Sequence, residues 1–143
     1  MMISTRGRYA LRVLNYLAAN RSEAYIPLKD IVQQQQISQK YLESIMTSLS
    51  KAGLVDSVHG KGGGYRLNRE PSQYTLGEIL RLTESNLTPV ACLSPEAKPC
   101  DRACECNMLP IWIKLDRLVN DYLDSVTLED LNGQIKEKEQ RRE

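Results

Sequence analysis

The chain has 143 residues, 41% of them hydrophobic and 26% charged, which is typical of a soluble globular domain with a core of its own. No apolar run approaches the roughly eighteen residues of a membrane-spanning helix, and no signal-peptide pattern opens the chain, so we expect a cytoplasmic protein. The net charge of +1 is spread unevenly: residues 1–70 carry ten Lys and Arg against five Asp and Glu, whereas residues 71–143 carry nine against thirteen. A polyanionic partner is therefore expected to contact the first half.

The first half of the sequence predicts three helices with apolar residues at helical spacing. Ser4 can cap a first helix over about residues 5–20. Pro27 stands where the first residue of a short second helix is expected. Ser38 is a suitable N-cap for a third helix, and Gly53 follows its end. Two short helices joined by a tight turn have the dimensions of a helix-turn-helix.

The third helix would present polar side chains on its exposed face. Amide, hydroxyl and charged groups are the types that read base edges and phosphates in a major groove. The residues concerned are Gln39, Lys40, Tyr41, Glu43, Ser44 and Thr47. Since any three-helix domain shows similar spacing, the segment that follows carries more weight.

A glycine-rich hairpin is predicted after the third helix. Residues 54–58 and 65–68 favour two short strands, joined by HGKGGG at residues 59–64. Glycine permits positive φ and a close approach of the backbone to a phosphate, and Lys61 at the tip adds a positive charge. The loop lacks the Gly-Lys-Ser/Thr ending of a nucleotide-binding P-loop. We therefore interpret the hairpin as the wing of a winged helix-turn-helix.

The segment LKDIVQQQQISQKYLESIMTSLSKAGLVDSVHGKGGGYRL resembles the DNA-binding region of the Rrf2 family of winged-helix transcription regulators. Similarity extends over about residues 1–132, through RGRYALRVL at the start, YTLGEIL after the wing and WIKLDRLVNDYLDSVTLEDL near the end. The resemblance implies a mostly α fold with a small β-wing, in which a winged helix-turn-helix domain precedes a long C-terminal dimerisation helix. It also implies a homodimer that binds a double-stranded DNA operator, and we expect a repressor.

The exposed face and the resemblance together place DNA contacts on the second helix, the third helix and the wing. The implied contact residues are Lys29, Ser38, Gln39, Lys40, Tyr41, Glu43, Ser44, His59, Gly60, Lys61, Gly62 and Gly63. An enzyme is not expected, because the one histidine belongs to the wing and no nucleophile has a base in a plausible context.

The second half of the sequence predicts a long helix with an unusually continuous apolar stripe. The sequence TLGE at residues 75–78 is a capping box that opens a short helix to about Glu84. The stripe from Met108 to Ser125 needs a larger partner surface than a winged domain offers, which favours a dimer helix over one that packs only on its own domain. Thr127 can cap a last short helix. The stripe comprises Leu109, Trp112, Leu115, Asp116, Val119, Tyr122, Leu123 and Val126.

These patterns divide the chain into four segments. A winged helix-turn-helix domain over residues 1–84 precedes a cysteine-containing sensor loop over 85–107. The dimerisation helix and a short final helix would occupy residues 108–132, and a mixed-charge tail residues 133–143.

Every cysteine of the chain lies in one segment, CLSPEAKPCDRACEC at residues 92–106. In a reducing compartment, clustered thiols more often bind a metal or an iron–sulfur group, or carry out redox chemistry, than form structural disulfides. The segment is therefore expected to be a sensor loop. Four interpretations stay open: an iron–sulfur cluster, a cluster-free thiol redox switch, a structural zinc site, and cysteines without a role of their own.

The resemblance favours the cluster. In the cluster-binding IscR-like and NsrR-like members of the family, three loop cysteines ligate iron, with five residues between the second and the third. Cys100 and Cys106 match this spacing, whereas Cys92 precedes Cys100 by seven intervening residues instead of five. The implied ligand set is Cys92, Cys100 and Cys106, around a cluster whose two-iron or four-iron type the sequence does not fix.

The fourth ligand is open. Leu109 occupies the position where IscR-like proteins have a histidine ligand. Arg8 occupies the position where NsrR-like proteins have an acidic ligand. Cys104 is a candidate for the fourth position, as are a small thiol and solvent. The alternative function is that of a CymR-like regulator without a cluster, which responds through thiol redox chemistry or by binding a metabolic enzyme.

Overall fold

The predicted order of elements is confirmed in a computed structural model that describes residues 2–133 and Arg141. The elements are α1 (Thr5–Ala19), α2 (Leu28–Gln35), α3 (Gln39–Lys51), β1 (Val55–Val58), β2 (Gly64–Leu67), α4 (Leu76–Thr83) and α5 (Leu109–Ser125). Residues 128–133 are also helical, and most of the predicted charged tail over 133–143 lies outside the described residues. None of the described helices has the length and apolar content that crossing a membrane requires.

The first three helices pack around one apolar core. Ser4 begins α1 by accepting a hydrogen bond from the Gly7 amide at 3.0 Å, and Ser38 begins α3 in the same way. Gln36 adopts a positive φ of 54° and turns the chain from α2 into α3. Burial of each large apolar side chain stabilises the fold by roughly 1.5–3 kcal/mol. Residues fully buried in this core include Ala10, Val13, Leu14, Ile31, Leu42, Ile45, Met46 and Leu49.

The wing is anchored to the segment before α2, a feature that the sequence does not reveal. β1 and β2 pair antiparallel, with Val58 opposite Gly64. Tyr65 exchanges two backbone hydrogen bonds with Ile26, at 2.8 and 2.9 Å. A Cβ at Gly64 would collide with the Ile26 carbonyl, so the pairing requires glycine at position 64. The pairing of Ile26 with Tyr65 therefore fixes the base of the wing against the start of α2.

α4 begins as predicted at Thr75, but the capping box is only half formed. The Thr75 hydroxyl accepts from the Glu78 amide at 3.1 Å. The Glu78 carboxylate accepts two bonds from Arg69, at 3.0 and 3.3 Å, so an ion pair replaces the reciprocal half of the box. This hydrogen bond raises the pKa of Arg69. Arg69 also lies over the ring of Tyr74, which is fully buried.

α5 packs against α4, and the chain after it returns to the first core. Leu128 is fully buried there, and its amide donates to the Tyr74 carbonyl at 3.1 Å. Thr127 and Asp130 exchange two side-chain-to-backbone bonds at the start of the helical residues 128–133, as expected for a capped last helix. Between α4 and α5 lies a second, smaller core. Its buried side chains are Leu80, Leu87 and Leu123.

Candidate DNA interface and cysteine loop

α3 has one buried face and one exposed polar face, as its periodicity predicts. Gln39, Glu43 and Thr47 lie on the exposed face. Gln39 Nε2 donates to Glu43 Oε1 at 3.2 Å, and the Thr47 hydroxyl donates to the Glu43 carbonyl at 2.8 Å. Tyr41 differs from its neighbours because it is half-buried, with its ring edge-on to Tyr9 at a centroid distance of 5.8 Å. Its first role in the structure is therefore to brace α3 against α1.

The glycines of the wing fall into two groups. Gly60 and Gly62 have φ values of 93° and 77°, and a Cβ at either would point into open space. Gly63 differs, since a Cβ there would collide with the Val58 carbonyl. The predicted contact residue Gly63 is thus needed to close the hairpin. Because Gly60 and Gly62 have no side chains, a phosphate could closely approach the exposed backbone on either side of Lys61.

An open groove brings together α2, α3 and the wing. Lys29 from the beginning of α2 faces it, as do Glu43 and Thr47 from α3 and His59 and Gly60 from the wing. The groove has a volume of about 490 Å³. Five residues from three separate segments, four of them in the predicted contact set, thus border a single concave surface.

Arg6 was not in the predicted contact set, but it lies directly on α3. Its guanidinium donates to the Ser44 hydroxyl at 3.0 Å, to the Ser44 carbonyl at 3.2 Å and to the Ser48 hydroxyl at 2.6 Å. The sequence shows three arginines near the start of α1, at residues 6, 8 and 12. Helical spacing alone cannot tell which of them reaches a helix 38 residues further along the chain.

The apolar stripe of α5 consists of two faces rather than one. Val119 and Leu123 turn inward and pack against the second core. Ile111, Leu118 and Tyr122 turn outward, with exposed fractions of 53%, 56% and 67%. Together with Met108 and Leu115, they recur at intervals of three and four residues along one side of the helix, which is the spacing of a coiled-coil seam. The predicted stripe mixed both faces and omitted Ile111 and Leu118.

The cysteine loop connects α4 to α5 and carries all four thiols as free cysteines. Cys92 and Cys100 are exposed, as is Cys104, whereas Cys106 is half-buried. Cys104 and Cys106 line a cavity of about 580 Å³ against α5, together with Lys114. Cys92 belongs to the short 3-10 turn Ala91–Leu93, whose last residue lines a separate cavity. The two ends of the cysteine segment therefore border separate cavities, which different residues of α5 line.

The donor set fits an iron–sulfur group or zinc in kind but not in arrangement. Thiolates are the ligands that such groups prefer. Within residues 2–133, however, no three Cys, His, Asp or Glu side chains lie close enough together to hold a metal ion. The set Cys92, Cys100 and Cys106 would have to be drawn together by a rearrangement of the loop.

The chain is similar to a known family of proteins over nearly its whole length. The family profile Rrf2, described as an iron-dependent transcriptional regulator, matches residues 3–134. The HTH-type transcriptional regulator CymR of Bacillus subtilis strain 168 is 41% identical over 131 residues, covering 92% of this chain and 89% of CymR. The HTH-type transcriptional regulator IscR of Aliivibrio salmonicida is 34% identical over 131 residues, covering 92% of this chain and 77% of IscR.

The solved structures agree with the sequence relatives. The structure of CymR, the global cysteine regulator of B. subtilis, matches with a TM-score of 0.75 at 38% identity, covering 94% of this chain and 98% of that one. This likeness confirms the predicted winged helix-turn-helix followed by a long C-terminal helix. The related proteins are named as transcription regulators, which is a non-enzymatic role. On these grounds the chain belongs to the Rrf2 family of DNA-binding transcription regulators.

Proposed function

We propose that this regulator binds a two-fold symmetric operator through the groove that α2, α3 and the wing enclose. The observation that carries the proposal is the convergence of Lys29, Glu43, Thr47 and His59 on that groove, with Lys61 exposed beside it. The polar face of α3 would enter a major groove and read base edges, while the wing would contact phosphates. The proposed contact set also includes Ser38, Gln39, Lys40, Tyr41, Ser44, Gly60, Gly62 and Gly63.

The partner proposed for the outward face of α5 is a second copy of the chain. An exposed apolar row that includes Ile111, Leu118 and Tyr122 is costly to leave in water. Its heptad-like spacing fits the corresponding row of an identical helix. Symmetric pairing through residues 108–132 would hold two winged domains, each over residues 1–84, at a fixed separation, as reading a palindromic operator requires.

The proposed sensor is the cysteine loop over residues 85–107, and its proposed group is an iron–sulfur cluster held by Cys92, Cys100 and Cys106, with Cys104 as candidate fourth ligand. Support comes from the four thiols in one connecting loop and from the similarity to proteins named IscR. Both ends of the loop are attached to elements of the fold, α4 before it and α5 after it. A rearrangement that gathers the thiols would therefore act on both helices.

A second candidate function is favoured by two observations. The described side chains do not form a gathered site within residues 2–133, and the relative named CymR is the more similar of the two curated proteins compared above. In this alternative the regulator holds no cluster. It responds through reversible oxidation of its exposed thiols, or by binding a metabolic enzyme.

Selection of binding sites from a random DNA pool, carried out with anaerobically purified protein, tests the proposed function. We expect enrichment of an inverted repeat, with half-sites about one helical turn apart or a multiple of it. The control is a variant with Lys29 and Lys61 both replaced by alanine, which should enrich the repeat weakly. Failure of the wild-type dimer to enrich any sequence above the starting pool would contradict the proposed DNA interface.

A further inference from the structure

The residue directly before the cysteine loop also holds the start of α1. Glu84 is the first residue after α4. Its Oε1 accepts hydrogen bonds from the Ser4 amide at 3.0 Å and from the Ser4 hydroxyl at 2.7 Å. A Cβ at Gly7 would collide with the same oxygen, so only glycine at this position allows the carboxylate to lie so close to the helix. A negative charge at a helix N-terminus is favourable because it complements the helix dipole.

The same turn of α1 holds α3, the proposed recognition helix. Arg6 lies two residues after Ser4, and its guanidinium makes three hydrogen bonds with Ser44 and Ser48. Ser44 belongs to the exposed polar face of α3, whereas Ser48 is half-buried behind it. Since Arg6 donates to the Ser44 oxygen, the hydroxyl hydrogen of Ser44 is left to donate elsewhere. The exposed face of α3 thereby keeps a hydroxyl donor at Ser44.

We propose that Glu84 and Arg6 are positioning residues through which the cysteine loop, joined to Glu84, acts on the recognition helix. Glu84 fixes the first turn of α1, and Arg6 in that turn fixes the orientation of Ser44. The inference rests on the proposed function, since it assigns to the loop and to α3 the roles of sensor and reader. It adds a physical connection between them that is independent of which group the cysteines bind.

Replacement of Arg6 by lysine separates positioning from a simple phosphate contact. Lysine keeps the charge but cannot bond to three oxygens in a fixed geometry. We expect Arg6→Lys to reduce the preference for the selected site over generic duplex by about tenfold, with the salt dependence of binding unchanged. Among the described residues, the Arg8 side chain bonds to Thr5 of the same helix, so Arg8→Lys is the matched control and should leave both quantities unchanged.

The opposite pattern would overturn the role of Arg6. If Arg6→Lys bound like the wild type while Arg6→Ala lowered the slope of log K against log salt by about one, Arg6 would be a phosphate contact and not a positioning residue.

Glu84 is tested by hydrogen exchange together with site preference. Glu84→Ala should speed exchange at the amides of Gly7 and Arg8, which bond to Ser4, and near Ser48 in α3. Glu84→Ala should also reduce the preference for the selected site, as Arg6→Lys does. A variant that carries both substitutions should show no greater loss of preference than either one alone. Glu84→Gln keeps the acceptor oxygen and should lie between Glu84→Ala and the wild type. Faster exchange in α1 with unchanged exchange in α3 would reduce Glu84 to a helix cap and overturn the connection.

The two readouts also separate this inference from the proposed function. If the wild type showed no preference for any site, the DNA interface would fail. Amide hydrogen exchange near Ser48 in Glu84→Ala would still test the connection between Glu84 and α3. Faster exchange would support the connection, and unchanged exchange would contradict it.

Discussion

The Arg81 guanidinium of α4 donates to both carboxylate oxygens of Asp124 in α5, at 2.7 and 3.0 Å. The same side chain donates to the Asn120 amide oxygen at 3.0 Å. Gly77 lies beneath this contact, and a Cβ there would collide with the Asp124 carboxylate. Because α4 precedes the cysteine loop and α5 follows it, the pair clamps together the two helices between which the loop runs.

This clamp predicts a pH-dependent contribution to stability. The hydrogen bond from Arg81 lowers the pKa of Asp124 below its ordinary value of 3.8. The pair therefore stabilises the fold above that value, and its contribution is lost as the pH falls through the lower pKa of the folded state. Both side chains are nearly half exposed, so we expect Asp124→Asn to lower the free energy of unfolding by at most about 1 kcal/mol at neutral pH.

Urea unfolding at neutral pH and at about pH 3 checks this expectation. The deficit of Asp124→Asn should shrink in acid, whereas Asp121→Asn, which removes an exposed carboxylate from the same helix, should show little deficit at either pH. A deficit of equal size at both pH values would contradict the ionic role of Asp124.

The two faces of α5 predict different outcomes for neighbouring substitutions. Leu118→Asp places a charge in the outward seam, where the monomer leaves the side chain 56% exposed, so it should abolish the dimer and leave the monomer folded. Val119→Asp places a charge against the second core, so it should instead lower the stability of the monomer itself. Light scattering after size exclusion at micromolar concentration, together with thermal unfolding, distinguishes the two effects. A dimeric Leu118→Asp variant would remove the seam as the interface.

At the wing, Lys61→Ala removes an exposed charge from the tip. We expect weaker binding of about equal size for all DNA sequences, with the slope of log K against log salt reduced by roughly one, because one phosphate contact is lost. Fluorescence anisotropy across a salt series measures the slope. Lys98→Ala, in the cysteine loop, is the control and should keep the wild-type slope. A change confined to one DNA sequence would mean that Lys61 reads a base.

Glu43 predicts a change in specificity. Its carboxylate is exposed on α3, where it can accept from a cytosine amino group and repel the acceptor edge of guanine. Glu43→Ala should therefore broaden the range of sites that are bound, as measured by repeating the site selection with the variant. Gln39 donates a hydrogen bond to this carboxylate and only supports it. Gln39→Ala should therefore change the range of bound sites less than Glu43→Ala does. An unchanged consensus would remove Glu43 from the reading set.

Much of the fold could be predicted because it depends on local signals. Ser4, Ser38 and Thr75 cap helices where the sequence places caps, and the apolar spacing of α3 identifies its buried face. The wing strands were predicted to within one residue at each end. These features require only near neighbours in sequence, which is why periodicity and capping residues predict them.

The features that the sequence did not reveal depend on contacts between distant residues. The pairing of Ile26 with Tyr65 involves one residue on each side, which leaves no periodic trace. Arg69 competes with the backbone for Glu78, and no local pattern shows which partner prevails. In α5 nearly every inward or outward-row position is apolar, so composition could not separate the proposed dimer seam from the face that packs on Leu80. The placement of the four cysteines likewise depends on the path of a loop without regular periodicity.

The most direct test of the proposed sensor is the iron and acid-labile sulfide content of the protein after anaerobic reconstitution, with the visible spectrum recorded on the same sample. We expect iron and sulfide in the wild type and their loss in Cys92→Ala, Cys100→Ala and Cys106→Ala, each with an intact helical fold, because the winged domain has its own core. Cys104→Ala should weaken the cluster if Cys104 is the fourth ligand and otherwise leave it nearly unchanged. Wild-type protein that takes up stoichiometric zinc, or no metal at all, without iron or sulfide would contradict the iron–sulfur sensor.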